Sequence, residues 1–211
     1  MLLCRFIFHV KNKAKKQNTG STVTEYFQID NMRNVNILDK EFELFIPYEK
    51  IRAIVEEMAE KMNNDLKGKN PLFICILNGS FMFAAELFKR ISLLDAEISF
   101  IKLASYEGTN STGSVKELIG LNEDMSGRTV VVLEDIVDSG ITISQTIEQI
   151  KTKNPSEIQI ATLLLKPEAL KVKVPLDYIG IEIPNDFIVG YGLDYNGRGR
   201  NLIDIYKVTE K

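Results

Sequence analysis

The stretch TVVVLEDIVDSGITI, residues 129–143, constrains the fold more than any other. Val130 to Leu133 form an unbroken apolar run, and a run without alternation marks a strand buried on both faces, as in a parallel sheet covered by helices. The run, read as a strand TVVVLE, meets two adjacent carboxylates, Glu134 and Asp135. Ile136 and Val137 follow, then Asp138, Ser139 and Gly140, and then a helical pattern from Thr142 to Lys151. Neighbouring acids repel, so carboxylates at a strand end need a compensating ligand.

The rest of the chain fits an α/β frame. EFELFI, residues 41–46, alternates Phe42, Leu44 and Ile46 as a half-buried strand. Pro47 opens a helix whose Ile51, Ile54, Val55, Met58 and Met62 recur at three- and four-residue spacing, and KGKNP closes it. PLFICIL (71–77) is a buried strand ending at Asn78-Gly79-Ser80, before a helix FMFAAELFKRI. EISFIKL (97–103), Ile158–Leu165 and Asp177–Ile183 supply further strands. Residues 105–115 are nearly all small or polar and predict a mobile excursion. From Pro184 onward, aromatics, glycines, Arg198 and Arg200 follow no period and predict an appended cap. Strands alternating with helices imply a mainly parallel sheet. Its carboxyl ends, Asn78-Gly79-Ser80, Glu134 to Thr142 and Lys166-Pro167, should open on one crevice.

Composition removes several function classes. A net charge of -3 gives no basic excess for nucleic acid. One histidine, His9, excludes multi-histidine zinc sites and HExxH chemistry. Cys4 and Cys75 are too few and too far apart for a disulfide framework, which suits a reducing cytoplasm; Cys75 reads as a core residue. The first residues, MLLCRFIFHVKNKAKKQN, place an apolar run before a basic one, the reverse of a secretory signal and too short to cross a bilayer. Residues 1–31 read as a disordered extension, with Met32 as an internal start; a membrane-surface or targeting role is the rival reading. Residues 32–211 read as one domain.

The turn at Asp138 to Thr142 has chemistry of its own. Successive backbone amides, the freedom of Gly140, the hydroxyls of Ser139 and Thr142 and the positive end of the next helix make a cradle for a phosphate monoester. It lacks the lysine of a Walker loop. Glu134 and Asp135 beside it could accept from two vicinal hydroxyls and hold Mg²⁺. The bland alternative is an acidic pair before a polar turn, as receiver domains also have.

VVVLEDIVDSGITI resembles the phosphoribosyl-pyrophosphate (PRPP) motif of type I phosphoribosyltransferases. From about Phe42 to Tyr206 the chain is similar to the hypoxanthine-guanine branch of that family. LNGSFMFAAEL resembles its pyrophosphate loop, SYEGTNSTGSVKEL its lid, LLLKPEA its purine-reading strand, and IEIPNDFIVGYGLDYNGRGRNL its hood. The hood would also take in the strand near 41–46.

The resemblance implies a role for each matching residue. Glu134 and Asp135 would bind the ribose hydroxyls and the Mg²⁺ shell. Asp138, Ser139, Gly140, Ile141 and Thr142 would cradle the 5′-phosphate, and Asp138 would also face N7 of the purine as the catalytic group. Leu77, Asn78 and Gly79 would offer amides to pyrophosphate, in a loop where the family often has a non-proline cis bond. Many members carry lysine at Asn78, whose backbone role needs no side chain; Ile141 replaces a lysine of some eukaryotic relatives. Ser105 and Tyr106 of the lid and Arg200 would complete the PRPP contacts. Lys166 would donate to O6, Phe187 would stack on the base, and the carbonyl of Ile188 would face its edge. Asp194, on the purine side, would hold a second Mg²⁺.

The implied activity is Mg²⁺-dependent transfer of the phosphoribosyl group from PRPP to hypoxanthine or guanine, in a cytoplasmic homodimer or homotetramer that binds neither nucleic acid nor membrane. Two other readings stand beside it. A non-catalytic nucleotide-sensing regulator of the same fold would usually carry an added DNA-binding domain or a basic face. A receiver domain would leave lid and hood unexplained. Taken singly, each of the outlying residues also has a plain alternative: Lys166 a solvated lysine, Phe187 core, Arg200 a surface charge.

Overall fold

The computed structural model describes residues 33–104, 116–119 and 122–209. The expected tail (1–31), most of the expected lid, and Ser105 and Tyr106 lie outside the described residues.

In chain order the elements are β1 (Asn34–Ile37), β2 (Lys40–Ile46), α1 (Tyr48–Asp65), β3 (Leu72–Leu77), α2 (Phe81–Phe88), β4 (Glu97–Ala104), β5 (Lys116–Ile119), β6 (Thr129–Val137), α3 (Ile141–Lys151), β7 (Glu157–Leu165), β8 (Tyr178–Glu182), β9 (Ile188–Val189) and β10 (Ile205–Val208). A 3-10 turn, Pro167–Ala169, follows β7. The main sheet has the order β5-β4-β3-β6-β7-β8. Its strands are parallel except β5, which runs antiparallel to β4 at one edge. A smaller antiparallel sheet has the order β1-β2-β10-β9, so the two ends of the described domain build it together.

The unbroken apolar strands serve two cores because successive side chains point to opposite faces. Phe73, Cys75, Val131 and Leu133 pack with Ile51, Val55, Met58 and Met62 of α1 and with Phe83 and Leu87 of α2. Leu72, Ile74, Val130 and Val132 pack on the other face with Ile143, Ile147 and Ile150 of α3. Truncating one of these, such as the fully buried Ile74, to alanine would cost roughly 2–5 kcal/mol. A third cluster, Val35, Ile37, Phe42, Val189 and Tyr206, fills the small sheet.

Several boundaries differ from the sequence reading. β6 does not stop at Glu134 but runs to Val137, with Ile136 and Val137 paired to Leu164 and Leu165. The carboxylates therefore stand inside the last residues of a strand. α2 ends at Phe88, because the amides of Arg90 and Ile91 tighten onto the carbonyls of Leu87 and Phe88. Leu44 is exposed although Phe42 and Ile46 are buried. Asp177 stays outside β8, its carboxylate accepting the Ile160 amide at 2.7 Å. Among the described residues no helix is long and apolar enough to cross a membrane.

Candidate active site

The carboxyl ends of β3, β6 and β7 open on one cavity of about 440 Å³. From β3 it is lined by Ile76, Leu77, Asn78 and Gly79, from β6 and its turn by Glu134, Asp135, Ile136, Asp138 and Thr142, and from β7 by Lys166. The small sheet supplies the opposite wall, Phe187, Ile188, Leu193, Asp194 and Arg200. A sheet that ends its parallel strands together gathers residues far apart in sequence at one mouth.

The β3–α2 turn contains a cis peptide between Leu77 and Asn78. Ser80 at its end is fully buried; its hydroxyl donates to the Ile76 carbonyl and lies 3.0 Å from Cys75 Sγ. A side chain at Gly79 would run into the Asp135 carboxylate and displace it, so glycine here leaves that carboxylate its place in the cavity.

Glu134 and Asp135 are only partly exposed, and their carboxylates pay for it electrostatically. Burial pushes Glu134 well above the usual carboxylate range, with the Asp135 charge adding to it. Burial pushes Asp135 up to about 6, opposed by the backbone amides of Ile136 and Asp135 and by Arg200. Asp135 Oδ1 accepts the Ile136 amide at 2.8 Å, whereas Glu134 Oε2 is buried without a hydrogen-bond partner. Glu134 is thus short of a positive or hydrogen-donating partner, and the single amide and Arg200 do not offset the burial of Asp135. The described residues contain no group of three or more His, Cys, Asp or Glu that could hold a metal. A Mg²⁺ held by one or two carboxylates and completed by phosphate oxygens needs none, so Glu134 and Asp135 fit that mode.

The turn after β6 forms a smaller adjoining cavity of about 70 Å³, bounded by Asp138, Ser139, Gly140 and Thr142. Gly140 precedes α3 with φ 78°, in the left-handed region, and no side chain caps the helix. Apart from the long contact of the Ile141 amide with Ser139 Oγ, the amides that open α3 are thus left for an anion. Ile141 lines neither cavity: its side chain is exposed, and its amide makes a long 3.4 Å contact with Ser139 Oγ.

At the other end, Lys166 is 7% exposed and its Nζ stands 3.8 Å from Asp138 Oδ2. The solvated-lysine reading fails for this residue. Phe187 is 45% exposed, supported from behind by Phe42 and Tyr195 at ring separations of 6.3 and 5.7 Å, so it is not core. Ile188 is buried beneath the cavity wall in β9. Asp194 and Arg200 face each other: Arg200 Nη2 lies 2.6 Å from Asp194 Oδ1, and the Gly197 amide donates to Asp194 Oδ2 at 2.6 Å. The surface-charge reading of Arg200 fails, and Asp194 carries a cation partner of its own. Sequence reading missed Ile76, Ile136 and Leu193, apolar lining residues that no local signal sets apart from core.

The phosphoribosyl transferase domain family matches residues 47–196. The bifunctional protein TilS/HprT of Listeria monocytogenes is 38% identical over 160 residues, which are 75% of this chain and 24% of that protein. The chain thus spans about a quarter of the length of this relative. The hypoxanthine-guanine phosphoribosyltransferase of Streptococcus thermophilus is 39% identical over 168 residues, 79% of this chain and 93% of that one. A crystal structure of a hypoxanthine-guanine phosphoribosyltransferase from Bacillus anthracis superposes with TM-score 0.74 at 38% identity, covering 80% of this chain and 97% of that one. With the cradle, the carboxylate pair and the lysine strand all at the mouth of the same parallel sheet, the chain belongs to the phosphoribosyl transferase domain family.

Proposed function

We propose that this chain is a hypoxanthine-guanine phosphoribosyltransferase of purine salvage, converting PRPP and a 6-oxopurine into the nucleoside monophosphate and pyrophosphate. The observation that carries the reading is the mixed chemistry gathered at one crevice. A desolvated carboxylate pair, a buried lysine and a half-exposed phenylalanine line one cavity, and a phosphate-sized turn adjoins it. That arrangement suits a phosphorylated sugar joined to a flat acceptor base.

In this reading the amides of the Asp138–Thr142 turn hold the 5′-phosphate, and Glu134 and Asp135 accept from the ribose hydroxyls. Leu77, Asn78 and Gly79 present backbone to the pyrophosphate. Phe187 covers one face of the base, the Ile188 backbone borders its edge, and Lys166 donates to O6. As the bond from C1 of the ribose to pyrophosphate oxygen breaks, the bond from C1 to N9 forms, and the ring proton of the base passes to the Asp138 carboxylate. Arg200, held by Asp194 and by the Gly192 carbonyl, sets a positive charge toward the departing pyrophosphate. Mg²⁺, held by Glu134 and Asp135, would neutralise charge on the leaving group. A second ion at Asp194 would share that carboxylate with Arg200. Ser105 and Tyr106 would belong to a lid that excludes water. A binding-only protein would leave Asp138 beside Lys166 without a task.

The setting is cytoplasmic, in keeping with the cysteine usage, and the state a homodimer or homotetramer. The test is pyrophosphate release on mixing the protein with PRPP, Mg²⁺ and hypoxanthine. Release should require all three, and its absence would refute the reading.

A further inference from the structure

The anion cradle is held from behind by a segment with no counterpart in the sequence reading. After the turn Pro167–Ala169, residues 170–172 cross the back of the Ser139–Gly140 peptide. The amides of Lys171 and Val172 both donate to the Ser139 carbonyl, at 3.0 and 3.1 Å. Contact is tight: a side chain at Gly140 would meet the Val172 carbonyl at 2.5 Å and Leu170 Cδ2 at 3.4 Å. Leu170 itself packs on the core beneath α3 together with Val174 and Leu176.

The consequence follows from peptide geometry. In a trans peptide the carbonyl and the amide of one unit point in opposite directions. Holding the Ser139 oxygen against the strap therefore aims the Gly140 amide to the other side, where the small cavity lies. Were this peptide free to turn over, its oxygen would face the anion, and attraction would become repulsion. Gly140, at positive φ, is the residue at which such a turn would be easiest.

We propose that Leu170–Val172 is a positioning strap: its two amides draw the Ser139 carbonyl away from a bound phosphate monoester and so present the Gly140 amide to it. The inference rests on the PRPP reading of the cavity. It assigns to three residues outside the cavity a share of the phosphate affinity, without any contact to the ligand. A strap that only supported α3 would lower stability and leave ligand discrimination alone.

The test is a pair of variants, Val172→Pro, which removes one of the two donors, and Leu170→Ala, which removes the seat of the strap, with Leu170→Met as the conservative control. Steady-state kinetics should show KM for PRPP raised about tenfold, the scale of a lost hydrogen bond, with KM for hypoxanthine within about twofold and Leu170→Met near wild type. Titration with inosine monophosphate and with inosine separates the phosphate from the rest of the ligand. The variants should weaken the monophosphate and not the nucleoside. Folded variants with unchanged KM for PRPP, or equal weakening of both ligands, would overturn the strap. If Val172→Pro does not fold, Leu170→Ala decides. A wild-type protein that binds neither PRPP nor inosine monophosphate sinks the underlying reading, and the strap with it.

Discussion

Gly192 lies against the carbonyl oxygen of Gly79 with no space for a side chain between them. This contact joins the small sheet to the loop after β3. It is locked from the Gly192 side, whose carbonyl accepts Arg200 Nη1 at 2.7 Å and whose amide donates to the Arg200 carbonyl at 3.0 Å. Gly79 in turn presses on Asp135. Gly192→Ala must part the two walls of the cavity, and it also strains a residue at φ 99°. We expect a stability loss of about 1–3 kcal/mol and a rise in KM for PRPP larger than that for the base. Thermal melts and initial-rate kinetics check it; an unchanged PRPP term would mean the walls need not meet.

Asp138→Asn should keep PRPP binding and lose turnover. The amide preserves shape but cannot take a proton, and general acid–base groups contribute roughly a hundred- to ten-thousand-fold. A fall in kcat below about threefold, with KM for PRPP unaltered, would remove Asp138 from the chemistry.

The raised Asp135 carboxyl gives a pH dependence of fixed sign. The unfolded group ionises at the ordinary aspartate value of 3.8, and the folded group at about 6. Between those values the folded state keeps a proton that the unfolded state gives up, so this group's contribution to stability is whole below the window and is lost as pH rises through it. Two units correspond to about 3 kcal/mol at most. Glu134 is shifted in the same direction. Asp135→Asn should therefore raise the melting temperature of the ligand-free protein more at about pH 8 than at about pH 5. An equal change at both would show that the carboxylate is not held at a cost.

Cys75 provides an internal control. Burial pushes its thiol up to about 11, with Glu134 and Asp135 adding to the effect and the hydrogen-bonding contact with the Ser80 hydroxyl opposing it. Only about a thousandth of the thiol is ionised at pH 8. Alkylation followed by peptide mapping should leave Cys75 unmodified in the native protein and modify it after denaturation.

Periodic and compositional signals carried well into the structure. The run Val130 to Leu133 announced a strand with two buried faces, and the spacing of Ile51, Val55, Met58 and Met62 announced α1. The polar strand ends did meet at one crevice, with Lys166 and Phe187 in it. Asp135 and Glu134 misled the end of β6, because charge inside a strand reads as a boundary until the cavity that accommodates it is known. Leu44 broke its alternation where the pairing of β10 with β2 shifts register beside Tyr206. The fit of Gly192 on Gly79 and the grip of Lys171 and Val172 on Ser139 join segments distant in sequence. No local pattern encodes such approaches.

Base selection tests the purine pocket. Lys166→Gln should erode the preference for 6-oxopurines while KM for PRPP stays within about twofold, since an amide can both donate and accept where an ammonium only donates. Unaltered base preference would detach Lys166 from O6.

The most direct measurement is steady-state turnover of the unmodified protein with PRPP, Mg²⁺ and each of hypoxanthine, guanine, xanthine and adenine. Lys166 offers donors only, so O6 of hypoxanthine or guanine can pair with it, whereas the amino group of adenine cannot. A site built on such a contact rejects the mismatched base by roughly ten-thousand-fold. The account predicts turnover of hypoxanthine and guanine, with adenine close to inert. Adenine used as well as hypoxanthine would contradict it.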